Sequence, residues 1–120
     1  MVSKCNECGC GKSAGCAPDE LVFNASERVP YSPNSVVSSA VVDGDAGTLT
    51  LFSFDQGQCL STHSAPFDAI VHVIEGEAQI TVGNDVHSVA AGEILVMPAD
   101  VPHSVEAIAR FKMVLTMFKA

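Results

Sequence analysis

Two histidines, His63 and His103, stand in apolar, β-type stretches of this chain. An imidazole in such a place can do two things. Its nitrogen lone pair can ligate a divalent metal ion, and its unperturbed pKa near 6.5 suits it to hydrogen bonding and proton transfer close to neutrality. Two further histidines, His72 and His87, fall on neighbouring runs and read as surface or interface residues. Cys59 precedes His63 by four positions, which places it on the same strand face but about 13 Å away, too far to share one ion.

A second group of donors lies at the start. Cys5, Cys8, Cys10 and Cys16 supply four thiols among the first 16 residues, with Gly9, Gly11 and Gly15 between them to let the backbone turn. Cys5-x-x-Cys8 is a spacing common among thiolate sites, and four thiolates could satisfy tetrahedral Zn(II) or an iron-sulfur centre. Cys10-x5-Cys16 matches neither paired zinc motifs nor ferredoxin runs, so a tail of reduced, exposed thiols is the competing reading. Gly11-Lys12-Ser13 resembles the end of a phosphate-binding loop, but position 6 is Asn6 and no strand precedes it, which rejects that motif.

The elements that must position these residues follow from composition and patterning. The chain has 120 residues, 48% of them hydrophobic and 17% charged, enough for one domain with one modest core. Six Lys plus Arg against 14 Asp plus Glu leave a net charge of -8, which repels phosphate backbones and anionic lipid headgroups. Nucleic acid and membrane are thus not expected partners. No apolar run reaches the roughly 18 residues of a membrane span, and the start MVSKCNECGC lacks a secretory signal's apolar stretch, so the cytoplasm is the expected location. Composition shifts after Pro18, dividing a Cys-rich leader, residues 1–20, from a domain over 21–120 that carries most of the acidity.

That domain reads as all-β. Short apolar runs near 36–42, 47–54, 58–63, 69–75, 77–82, 86–90, 93–97, 103–108 and 110–118 are punctuated by Asp43-Gly44, Gly57, Gly76, Gly83-Asn84, Gly92 and Pro98. Glu75-Gly76-Glu77 looks like a hairpin turn between two β-branched runs. Residues 21–35, with Pro30, Tyr31 and Pro33, read as an extended arm running onto the barrel. In the last run Phe111, Met113, Leu115 and Met117 share one face and Val114 and Phe118 the other, and both faces call for burial.

The spacing carries a resemblance. Gly57, five residues, His63, then Gly76 closing the next strand, and later Gly92, five residues, Pro98 and His103, resemble the two motifs of the cupin superfamily. The resemblance implies a jelly-roll β-barrel, also called a double-stranded β-helix, over residues 21–120, and a homodimer, since many one-barrel cupins are dimers. Metal-bearing cupins take two His and a Glu from the first motif and one His from the second; here those positions read His63, Ala65, Ala69 and His103. The second motif's later Gly is Asp100 and its Asn is Ala107. Asp68, one residue before the lost Glu position, could supply a carboxylate only if the register slips, which would reverse its face.

Three functions are compatible with this sequence. The first is a small-molecule binding or sensing cupin with a degenerate, metal-free site, its pocket formed by His63, Asp68 and His103, with the segment from Ala65 to Asp68 at the mouth. The second is a metal-dependent cupin enzyme, a dioxygenase, isomerase or lyase acting on a small organic acid or sugar, with Fe(II), Zn(II) or Mn(II) on His63 and His103 and Asp68 or His87 completing the site. The third places metal or redox handling on the leader cysteines.

Overall fold

A computed structural model describes residues 21–119, so the leader and its four cysteines lie outside the described residues. The described chain holds a single-turn helix α1 (Ala25–Arg28) and eight strands: β1 (Val36–Asp43), β2 (Gly47–Phe54), β3 (Cys59–His63), β4 (Asp68–Val82), β5 (Asp85–Ala90), β6 (Ile94–Met97), β7 (His103–Glu106) and β8 (Phe111–Phe118). All pairings are antiparallel. One sheet runs β1-β2-β8-β4-β6 and the other β5-β4-β7-β3, so β4 belongs to both. This is the expected jelly roll.

The shared strand corrects one expectation. Gly76 does not close a hairpin; β4 continues through it, pairing with β6 and β8 before the glycine and with β5 and β7 after it. The register against β8 shifts between Val73 and Glu75, and Gly76 takes φ +74°. A Cβ there would run into the carbonyl oxygen of Arg110. Glycine is required by both the dihedral and the close approach, and a bend carrying one strand between two sheets leaves the same sequence mark as a tight turn.

The core lies between the sheets. In β4 Ala69, Val71 and Val73 point inward, as do Ala78 and Ile80 after the bend. Phe111 and Met113 come from β8, and Phe111 stacks on Phe54 with ring centroids 4.6 Å apart. Phe111, Met113, Leu115 and Met117 pack on the core side as their alternation requires.

The arm over 21–35 is not wholly extended. Asn24 caps α1, its side chain accepting the Glu27 N–H at 3.0 Å. The arm then crosses the outer face of the larger sheet, where Val29 is fully buried. Beneath it the buried Lys112 ammonium donates to the Ser26 carbonyl at 2.6 Å, and Ser26 Oγ and Tyr31 Oη donate to the two oxygens of Glu75 at 2.9 and 2.7 Å. Ser53 Oγ donates to the Pro30 carbonyl at 3.1 Å. Burial and the adjoining Glu75 carboxylate hold the Tyr31 hydroxyl protonated far above its ordinary range, while the donors from Tyr31 and Ser26 push the Glu75 carboxyl down.

Candidate functional site

Two short connections build the far end of the barrel. Residues 64–67 lead from β3 into β4 and residues 98–102 lead from β6 into β7, and the Asp100 N–H donates to the Ala65 carbonyl at 2.7 Å, tying the two together. Asp100 stands where the family motif has glycine and keeps the left-handed conformation, φ +66°. The strands leaving this rim carry His63 at the end of β3 and His103 at the start of β7, paired in register.

Their rings meet. The Nε2 atoms of His63 and His103 lie 3.1 Å apart, with ring centroids at 4.4 Å and planes crossing at 71°. His63 Nδ1 sits 2.8 Å from the Ser61 carbonyl and His103 Nδ1 3.2 Å from the Val101 carbonyl. A carbonyl only accepts, so each Nδ1 must carry the hydrogen, and a neutral ring then presents a bare lone pair at Nε2. Two lone pairs facing each other at hydrogen-bond distance repel, and an electron-pair acceptor between them removes the repulsion. His103 is 8% exposed and His63 exposed. Burial lowers the His103 pKa, with a smaller contribution from the neighbouring His63, against the Val101 carbonyl, which raises it.

The other residues singled out from sequence lie apart from this pair. Asp68 and Ala69 pair in unbroken register with Phe118 and Met117, so no slip turns Asp68 inward. Its Oδ1 accepts the Ala99 N–H at 2.9 Å from the exposed side, bracing the rim. Cys59 does not share a face with His63, because the register against β7 shifts between Leu60 and His63; Leu60 pairs with the buried Val105, and Cys59 turns out beside Glu106. That bulge is invisible to a count of two residues per face. His72 points outward, between Val114 and Ile94. His87 pairs with the buried Ile80, which puts it on the inner face of the exposed edge strand β5.

Ala69 is buried, with Met97 and Met117 as its in-register neighbours. Nothing in the sequence singled out these methionines, because alternation marks them as core.

The donor set can be held against a divalent ion. Ala65 and Ala69 offer methyls, Asp68 is turned away, and among the described residues no group of three or more His, Cys, Asp or Glu side chains could hold a metal ion. Two imidazoles fall short of the three protein ligands of catalytic zinc sites or the two-His-one-carboxylate triad. The residues present do not fit Fe(II), Mn(II) or Zn(II) in the manner of the metal-bearing family members.

A two-sheet antiparallel jelly roll with a histidine pair at one end of the barrel marks a class of small β-barrel proteins. Residues 50–118 match the cupin domain, and the chain belongs to that family. A conserved protein of unknown function from Streptococcus pyogenes is 32% identical, with a TM-score of 0.82 over 87% of this chain and 92% of that one. A cupin superfamily protein from Desulfitobacterium hafniense is 25% identical (TM-score 0.78, 86% and 94% covered), and a cupin 2 conserved barrel domain protein from Leptotrichia buccalis is 39% identical (TM-score 0.79, 81% of this chain and 47% of that one). No curated protein matches. No helix among the described residues is long and apolar enough to cross a membrane.

Proposed function

We propose that this cupin is a small-molecule binding or sensing protein whose guest docks at the open end, on the facing Nε2 atoms of His63 and His103. The carrying observation is their 3.1 Å separation with both Nδ1 atoms committed to backbone carbonyls. Such a pair accepts a proton or another electron-pair acceptor, so a small organic acid or a polar molecule with an acidic hydrogen is the complementary guest. The rim from Ala65 to Asp68 forms one lip. A metal-dependent enzyme would need a third ligand, and Ala65 and Ala69 occupy the places from which it would come. The cytoplasm, where thiols stay reduced, is the setting that suits the cysteine usage.

The test is a thermal-shift screen of the full chain against small carboxylic acids and monosaccharides, repeated on His63→Ala and His103→Ala. Stabilisation by a guest that both variants lose is the expected result. About one equivalent of Fe, Zn or Mn in anaerobically purified chain carrying Ser at positions 5, 8, 10 and 16, lost on His63→Ala, overturns the reading in favour of a metal-dependent enzyme.

We further propose a homodimer through the uncovered part of the larger sheet's outer face. Beyond the arm, Ile94 (61% exposed) and Val96 (59%) continue across Ile70, His72, Val114 and Thr116 in register, without a charged side chain in either row. On a chain of net charge -8, an uncharged apolar face is where a second like-charged copy can approach. Light scattering at micromolar concentration should give twice the chain mass; a monomeric mass refutes the dimer.

A further inference from the structure

The uncovered outer face of the larger sheet is apolar across three strands and titratable at one residue. Beyond the arm it is carried by β8, β4 and β6, with Val114, His72 and Ile94 in one row and Thr116, Ile70 and Val96 in the next. On the β2 flank Leu51, the partner of Val114, is 2% exposed and Ser53 bonds the arm at Pro30, so that side is already occupied. What is left open has β4 at its centre, and His72 lies on β4, half-buried between Val114 and Ile94.

The charged groups along the neighbouring strands are committed elsewhere. On β4 the Asp68 carboxylate accepts the Ala99 N–H, and Glu75 accepts from Ser26 and Tyr31. On β8 the Lys112 ammonium donates to Ser26 beneath the arm. At the head of β6 Glu93 Oε1 accepts the Ala90 N–H, which turns that carboxylate toward the end of β5. On the arm Glu27 is exposed and Arg28 lies over the Phe23 ring. Neither row places a carboxylate beside His72, so a covered face would leave an imidazolium there without a counter-ion.

We propose that His72 makes the homodimer acid-sensitive: placed near the two-fold axis, it lets the two copies associate while its ring is neutral, and its protonation releases them. The proposal rests on the homodimer proposed above. In a two-fold interface one patch meets itself, so residues at the centre of the patch lie near the axis and face their own copies. A neutral imidazole pays little to enter an apolar contact and can donate one N–H to the facing ring. A protonated one would be a buried, unpaired charge beside a like charge from the other copy. Association therefore favours the neutral form, so the dimer is stable above the range in which a solvated imidazole titrates, near pH 6.5, and is lost as pH falls through it. Bulk electrostatics has the opposite sign. Protonating all four histidines takes the formal net charge from -8 to -4 (four charges gained), which lessens repulsion between copies and would tighten the dimer in acid.

The test is sedimentation equilibrium of the full chain in reductant at about pH 7.5 and about pH 5.5, with circular dichroism at both to show that the fold is kept. Two imidazoles that must be neutral in the dimer and are free to titrate in the monomer contribute about tenfold each, so the dimer Kd should rise about a hundredfold. His72→Gln and His72→Leu should remain dimeric and lose this response, while His87→Gln, which lies off the face, should keep it. A dimer that is equally tight or tighter in acid overturns the proposal and leaves the dimer standing. So does an acid response that survives in both His72 variants. A monomeric full chain at pH 7.5 and micromolar concentration sinks the dimer and this proposal together.

Discussion

The bend in the middle of β4 and the rim where its two ends lie solve the same problem in opposite ways. At the Gly76 bend the chain's polar groups find partners within the chain: Glu75 accepts from Ser26 and Tyr31, and Lys112 donates to Ser26 under the arm. Behind them Phe54 and Phe111 stack in a core without exposure. At the rim the Nε2 atoms of His63 and His103 have only each other, both arranged as acceptors. The bend is a closed hydrogen-bond account and the rim an open one, and an open account beside a partly exposed interior is where a guest gains most.

If the bend is purely structural, the largest effect of any single truncation should fall there. Phe111→Ala removes a fully buried ring and its stacking partner's contact and should cost about 3–5 kcal/mol in urea unfolding. A loss under 1 kcal/mol would mean that the bend end is loosely packed and the contrast false. Gly76→Ala comes next, at about 2 kcal/mol, from the left-handed dihedral and the approach of the Arg110 carbonyl. A neutral outcome would show that β4 bends elsewhere.

Much of this contrast is legible from residues alone, and each failure has its own physical cause. The alternation in the last strand, the turn glycines and the spacing of His63 and His103 all translate into structure because each depends on a local period of two or a local dihedral. Gly76 misled as a hairpin because turn and strand bend demand the same positive φ. Cys59 misled because the bulge before His63 reverses the face without any signature in residue type. The Met117-Ala69-Met97 row escaped notice because its members come from three strands, and only register brings them side by side. Nor does any residue pattern announce that both histidines spend Nδ1 on the backbone carbonyl two residues before them.

The arm clasp gives a pH-dependent way to sharpen the comparison. Hydrogen bonds from Tyr31 and Ser26 hold the Glu75 carboxyl below its ordinary value, and the Asn34 N–H together with Arg110 does the same for Asp55. A carboxyl whose folded pKa is depressed contributes stability that is present above the unfolded value, about 4.3 for Glu, and is lost as pH falls through the folded one. Urea midpoints should therefore decline below about pH 4.5. Glu75→Gln should cost about 1–2 kcal/mol at pH 7 and leave a shallower decline, to which Asp55 still contributes. An unchanged decline would place the acid sensitivity outside the clasp.

The smallest stability effect belongs to the rim, and it bears most directly on the contrast. His63 is exposed, its Nδ1 bond runs to a carbonyl of its own strand, and its Nε2 faces an acceptor rather than a donor. Removing it deletes an exposed ring whose packing is the edge contact with His103, relieves a lone-pair opposition, and uncovers the His103 nitrogen to water. His63→Ala should thus change unfolding free energy by no more than about 0.5 kcal/mol while abolishing guest-induced stabilisation. A loss matching that of Glu75→Gln would mean that the pair is a structural clasp like the one at the bend. A near-zero loss with binding gone would show that His63 is kept at the rim for the guest and not for the fold.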